Sequence, residues 1–153
     1  MRALELKVPP PVVALLVAMA MWGVSRGMVA AAASELVRVP LAIALGVVGA
    51  AFDVSGLTAF RRAKTTVNPM RPQASSSMVC SGVYQVTRNP MYVGLIFGLC
   101  GWAVYLWSSW ALFGPFVFAA YIGRFQIAPE EKALATLFGA EYLAYKARVR
   151  RWL

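Results

Sequence analysis

Arg88-Asn89-Pro90-Met91-Tyr92-Val93-Gly94 opens a long apolar run that turns back on itself, and Pro129-Glu130-Glu131 stands where the return leg ends. Such a pair of apolar legs predicts a helical hairpin of membrane-spanning length. Charged and proline-containing segments at both of its doors fall on one side of the bilayer, so they converge on one pocket. That convergence points to a membrane enzyme rather than an inert span.

The rest of the chain agrees with a membrane setting. Of its 153 residues, 60% are hydrophobic, against roughly 45–50% in a soluble domain, and the mean hydropathy is +0.64. Histidine is absent, which removes the usual imidazole base and the commonest transition-metal ligand. Zinc hydrolysis and Ser-His chemistry are excluded on that ground, and no metal site is expected. Cys80 and Cys100 imply neither a disulfide framework nor a metal-ligand spacing.

Four apolar stretches can be drawn, at residues 11–32, 39–60, 91–107 and 109–128. With the N-terminus inside, Arg2, Lys7, Arg61, Arg62, Lys64, Arg71, Arg88, Arg124, Lys132, Lys146, Arg148, Arg150 and Arg151 fall on the cytoplasmic side. Only Arg26 and Arg38 fall opposite. This bias gives a multi-pass chain with both termini in the cytoplasm. Orientation and anionic-lipid contact account for the net charge of +9, so no nucleic-acid partner is expected. The basic start and Ala31-Ala32-Ala33 also resemble a signal peptide, but the apolar stretch is long for one and reads as a retained helix.

The fold expected is an all-α integral membrane protein, with about four transmembrane helices plus a cytoplasmic C-terminal helix. Residues 1–60 form a two-helix scaffold. Residues 61–153 form the functional core: a cytoplasmic loop, the hairpin 88–128 and a helix over 129–153. Gly46, Gly49 and Ala50 on one side, and Gly94, Gly98, Gly101 and Ala103 on the other, suit close helix packing. Trp107-Ser108-Ser109-Trp110 marks the hairpin tip, with interfacial tryptophans. Asp53 within the second span reads either as a wall of the site or as a hydrogen-bonding partner of a neighbouring helix. The polar connection 61–87, with its prolines and serines, breaks regular structure and suits a lid or gate.

Helical phase places Glu131, Leu134, Phe138, Tyr142 and Tyr145 on one face, with Glu130 about 100° away beside Leu137 and Glu141. Pro129 suits a first helical turn, where the dipole also favours the two glutamates. The cytoplasmic mouth therefore gathers Tyr84, Arg88, Asn89, Tyr92, Glu131, Phe138, Tyr142 and Tyr145. Aromatic faces beside a carboxylate suit a cation or a purine, and Arg88 suits a carboxylate, which a guanidinium binds with two parallel hydrogen bonds. A ligand with a sulfonium, an amino-acid end and an adenine satisfies all of these.

The segment Gly82-Val83-Tyr84-Gln85-Val86-Thr87-Arg88-Asn89-Pro90-Met91-Tyr92-Val93-Gly94 closely resembles a signature of the isoprenylcysteine carboxyl methyltransferase family. Glu130-Glu131-Lys132-Ala133-Leu134, with Phe138-Gly139-Ala140-Glu141-Tyr142 and Tyr145, resembles that family's C-terminal signature, and phospholipid N-methyltransferases share a similar hairpin. The resemblance covers residues 65–153. It implies S-adenosylmethionine as cofactor, with Arg88 and Glu131 as the principal catalytic-site residues. Tyr84, Asn89, Pro90, Tyr92, Glu130, Phe138, Tyr142 and Tyr145 would line the cofactor site. No glycine-rich Rossmann loop is present, as that resemblance requires. Asn89 stands where the best-known eukaryotic members carry histidine, so no imidazole acts there.

The implied reaction is methyl transfer to a lipophilic, membrane-partitioned acceptor, a thiol, carboxylate or amine, at the cytoplasmic face. In-line transfer needs alignment more than a strong base, which agrees with the absence of histidine. On this reading Arg88 orients an acidic group and Glu131 holds the cofactor's amino group or sulfonium. A membrane sterol- or polyprenyl-type NADPH reductase and a non-enzymatic membrane scaffold are the competing readings. The acceptor's identity and the oligomeric state are not set by the sequence.

Overall fold

The computed structural model describes residues 5–26, 34–63, 70 and 77–153. Expectations placed on Arg2, Ala31 to Ala33, Lys64, Arg71 and the rest of 64–69 and 71–76 within the 61–87 connection lie outside those residues. Five α-helices follow in order: α1 (Pro10–Arg26), α2 (Glu35–Arg62), α3 (Pro90–Leu106), α4 (Phe113–Ile122) and α5 (Ala128–Arg148). A 3-10 turn, Gly82–Gln85, precedes α3, and a π turn, Gly123–Ile127, joins α4 to α5. The described residues contain no strand, only an isolated parallel bridge between Thr87 and Arg150.

Prolines set the starts. Pro10 and Pro90 open α1 and α3, where the missing N–H has no partner to lose. The hairpin turns at Trp107, which ends α3 in the left-handed conformation (φ 48, ψ 46). Residues 108–112 form turns, so α4 begins at Phe113, four residues later than the apolar pattern suggests. The fourth stretch, 109–128, is therefore not one span-length helix. It is a ten-residue helix running through the π turn into α5. At the other end α5 stops at Arg148 rather than Leu153, because Val149 is extended.

One described helix, α2, is long and apolar enough to cross a membrane; α1 and α3 are apolar but shorter, at 17 residues each. Their outward faces carry large exposed apolar side chains: Leu15, Leu16 and Trp22 on α1, and Leu36, Ile43 and Val47 on α2. Phe116 on α4 is likewise 74% exposed. Large apolar side chains exposed in such number suit lipid rather than water.

Helix α3 lies at the centre. Against α2 it packs glycine on glycine: a Cβ at Gly49 would sit 2.7 Å from the Gly94 carbonyl, and one at Gly101 would sit 2.8 Å from the Ala42 carbonyl. Gly46 and Gly98 are the exceptions among the expected packing glycines, since a Cβ at either would meet nothing within 4 Å. Phe52 and Phe97 stack across the same seam at 5.8 Å. On its other side α3 meets α1 and α4 around Val13, Met21, Leu99, Ala103, Phe118 and Ile122. There the Trp102 indole donates to the Ala18 carbonyl at 3.0 Å. The consequence for the site is a rigid α3, whose first turn is held at a fixed depth beside the start of α5.

Candidate active site at the mouth of the hairpin

The motif before α3 is tied to the end of the chain. The Arg88 amide donates to the Arg150 carbonyl at 2.9 Å. The Thr87 hydroxyl (3.1 Å) and the Asn89 amide nitrogen Nδ2 (2.9 Å) both donate to the Arg151 carbonyl. Thr87 is wholly buried, and its hydroxyl accepts the Asn89 backbone N–H at 3.2 Å. Asn89 is thus engaged with the C-terminal backbone. Pro90 is buried on α2, next to Gly56.

Glu131, 8% exposed, is the hub. Arg151 grips it with two bonds, Nε to Oε1 at 3.0 Å and Nη2 to Oε2 at 2.8 Å. Lys146 Nζ donates to Oε2 at 2.9 Å. Arg88 Nη1 lies 3.1 Å from Oε1 but out of hydrogen-bond alignment, and its Nε and Nη1 are buried with no hydrogen-bond partner. Burial alone would raise the Glu131 pKa. The bonds from Arg151 and Lys146, with the charge of Arg88, outweigh burial and hold it below the usual carboxylate range. Reciprocally, the Glu131 contact raises the Arg151 pKa. Three cations on one carboxylate leave the cluster net positive, with unused donors on its most buried member.

Glu130 lies in the opposite electrostatic setting. Its Oε1 accepts the Tyr92 hydroxyl at 2.7 Å and the Gln126 amide nitrogen Nε2 from the π turn. No described cation pairs with it. Burial pushes its pKa up to about 7 against those two hydrogen bonds, and the neighbouring Glu131 charge pushes the same way. A carboxylate so placed lacks a positive partner.

The aromatic residues close the mouth. Tyr142 and Tyr145 are buried with ring centroids 6.3 Å apart, and the Tyr145 hydroxyl donates to the Tyr84 carbonyl at 2.7 Å. The buried Tyr84 ring packs edge-on against Phe60 at 5.5 Å. Burial raises the pKa of Tyr84, Tyr142 and Tyr145, so all three are neutral phenols. Phe138 is half-buried at the point where Gly139 (φ 52) kinks α5. The single helical face running from Glu131 to Tyr145 is therefore broken there. Tyr142 reaches Glu131 and Arg88 through the kink, not along a straight helix.

The geometry joins Arg88, Glu131, Tyr142 and Tyr145 on one side and Tyr92 with Glu130 on the other. It also adds residues that sequence reasoning passed over. Gln126 is one helical turn before Glu130, but no apolar period singles it out. Lys146 and Arg151 sit in a basic run that reads as orientation charge, and only the tertiary contact reveals their aim. Asp53 packs its carboxylate on Gly94; no described residue hydrogen-bonds to it, so the helix-bridging alternative finds no partner there. Cys80 and Cys100 are unpaired thiols.

Comparison with known proteins bears on this constellation. Residues 37–141, more than half of the chain, match the family model of phospholipid methyltransferases. A 63-residue stretch, 41% of the chain, is 46% identical to the full length of an uncharacterized protein of Haemophilus influenzae. Over 91 residues, 58% of the chain, it is 32% identical to protein-S-isoprenylcysteine O-methyltransferase B of Arabidopsis thaliana. The chain spans about half (45%) of that plant relative's length. No solved structure matches. The family match runs through the glycine seam, the motif before α3 and the paired glutamates together, and by it the chain belongs to the phospholipid methyltransferase family.

Proposed function

We propose that this chain is a multi-pass membrane methyltransferase with both termini in the cytoplasm, using S-adenosylmethionine to methylate a lipophilic acceptor at the cytoplasmic face. The observation that carries the reading is the pairing of two opposite needs at one mouth. Arg88 has buried donors without an acceptor, and Glu130 is a carboxylate whose described neighbours include no cation. An amino-acid end, carboxylate beside ammonium, meets both needs, and the tyrosines supply faces for a sulfonium or an adenine. The family membership supports the same cofactor.

When bound, this cofactor supplies an electrophilic methyl group on a sulfonium. The chain's own residues bind and orient. Arg88 takes the carboxylate through one of its two unpartnered donors, Nε or Nη1, which lie on different edges of the guanidinium. Glu130 takes the ammonium, and Tyr92 and Gln126 hold its carboxylate in place. Glu131, assigned the amino group or sulfonium on sequence grounds, is saturated by Arg151 and Lys146, so its role moves to orienting Arg88. A lipophilic acceptor arrives from the bilayer side, already carrying a free electron pair, and the site contributes alignment more than basicity. Thiol, carboxylate and amine acceptors all suit such chemistry.

Calorimetric titration of the purified protein in nanodiscs with S-adenosylhomocysteine and, separately, NADPH tests the reading. Saturable binding of the first alone is expected. Binding of NADPH alone replaces the reading with a reductase, and binding of neither replaces it with a scaffold.

A further inference from the structure

Glu131 offers a limited number of lone pairs, and Arg151 of the C-terminal tail and Lys146 of α5 together use most of them. Arg151 occupies both oxygens with a two-point grip, and Lys146 adds a second contact to Oε2. A planar guanidinium facing a carboxylate normally closes into that same two-point grip. Arg88 lies within ion-pair distance of Oε1 and does not close it. The place it would take is filled by Arg151. The backbone of the tail is firmly anchored beside the motif. The Arg150 carbonyl holds the Arg88 amide, and the Arg151 carbonyl holds both Thr87 and Asn89. Trp152 packs against the main apolar core just beyond.

We infer that Arg151 is a positioning residue: by saturating Glu131 it leaves Arg88 free to bind the anionic group of the ligand. Without Arg151, the Glu131 carboxylate draws Arg88 into a closed pair, and its donors are lost to the ligand. The tail is then part of the binding site although it touches no ligand. This inference rests on the S-adenosylmethionine reading above.

The test is S-adenosylhomocysteine affinity of the full chain, measured by calorimetry in nanodiscs. Arg151→Ala is expected to weaken binding roughly tenfold, the scale of one charge-assisted hydrogen bond. Arg151→Lys keeps the charge without the fork and is expected to restore part of that loss. In a Glu131→Gln background, where no carboxylate competes for Arg88, Arg151→Ala is expected to have no further effect. Hydrogen exchange at the Arg88 amide, bonded to the Arg150 carbonyl, should be unchanged in Arg151→Ala. Affinity equal to wild type in Arg151→Ala overturns the inference, as does an equal loss in both backgrounds. Faster exchange at the Arg88 amide shows instead that the tail has detached, and also overturns it. A wild-type chain that binds no S-adenosylhomocysteine removes the cofactor reading itself, and the inference with it.

Discussion

Glu130 gives the sharpest prediction because its folding cost depends on pH in a calculable way. Its pKa rises from 4.5 to about 7 on folding, so the fold disfavours the ionised form. Well below pH 4.5 the group is protonated in both states and there is no penalty. The penalty grows as pH rises from 4.5 towards 7 and is constant above that. From those two values it is about 1 kcal/mol at pH 5 and about 3 kcal/mol at pH 8. Glu130→Gln is neutral throughout and can still accept from Tyr92 through its amide oxygen. Its thermal midpoint relative to wild type should therefore rise by roughly 4–8 °C between pH 5 and pH 8. Differential scanning fluorimetry across that range reads it directly. A difference that stays flat with pH shows that Glu130 is not a desolvated carboxylate, and the case for it as a cation site fails. The functional counterpart has the opposite sense. S-adenosylhomocysteine should bind wild type about tenfold more weakly at pH 6 than at pH 8, because only the ionised form attracts the ammonium. Glu130→Gln should bind weakly at both.

The glycine seam makes a paired prediction. Gly94→Ala places a methyl group against the Asp53 carboxylate and the Gly49 carbonyl, so α2 and α3 must part. A loss of about 1–3 kcal/mol is expected, while Gly98→Ala, pointing into open space within α3, should raise stability in thermal denaturation by about 0.5–1 kcal/mol, because Ala favours a helix interior over Gly. Equal effects refute the close-packed seam. Tyr145→Phe strands the Tyr84 carbonyl and should cost about 1–2 kcal/mol. Unchanged stability in thermal denaturation would show that water replaces the lost donor.

Much of this protein was legible in its residues. Apolar runs and prolines locate α1, α2 and α3, because helix periodicity and the missing proline N–H act locally. Arg88 and Glu131 could be named as neighbours because both open helices on the same side of a hairpin. Phase arguments lose their force where the backbone leaves ideal geometry. The π turn at 123–127 adds residues within a turn, and Gly139 reverses φ, so positions counted through either one rotate away from the expected face.

What the sequence alone determined is therefore the first three helices, the turn of the hairpin and the residue types gathered at its mouth. Tertiary structure decided which charge serves which partner. Arg151 is one basic residue among several in a run, and nothing local distinguishes it from Arg150. It becomes the grip on Glu131 because the extended tail pairs with Thr87 and carries its side chain across 20 residues of sequence. The same contact separates two adjacent glutamates, leaving Glu131 saturated and Glu130 with no cation among the described residues. Electrostatic roles of neighbouring residues depend on what the fold brings within a few ångströms, and that distance is not written in their order along the chain.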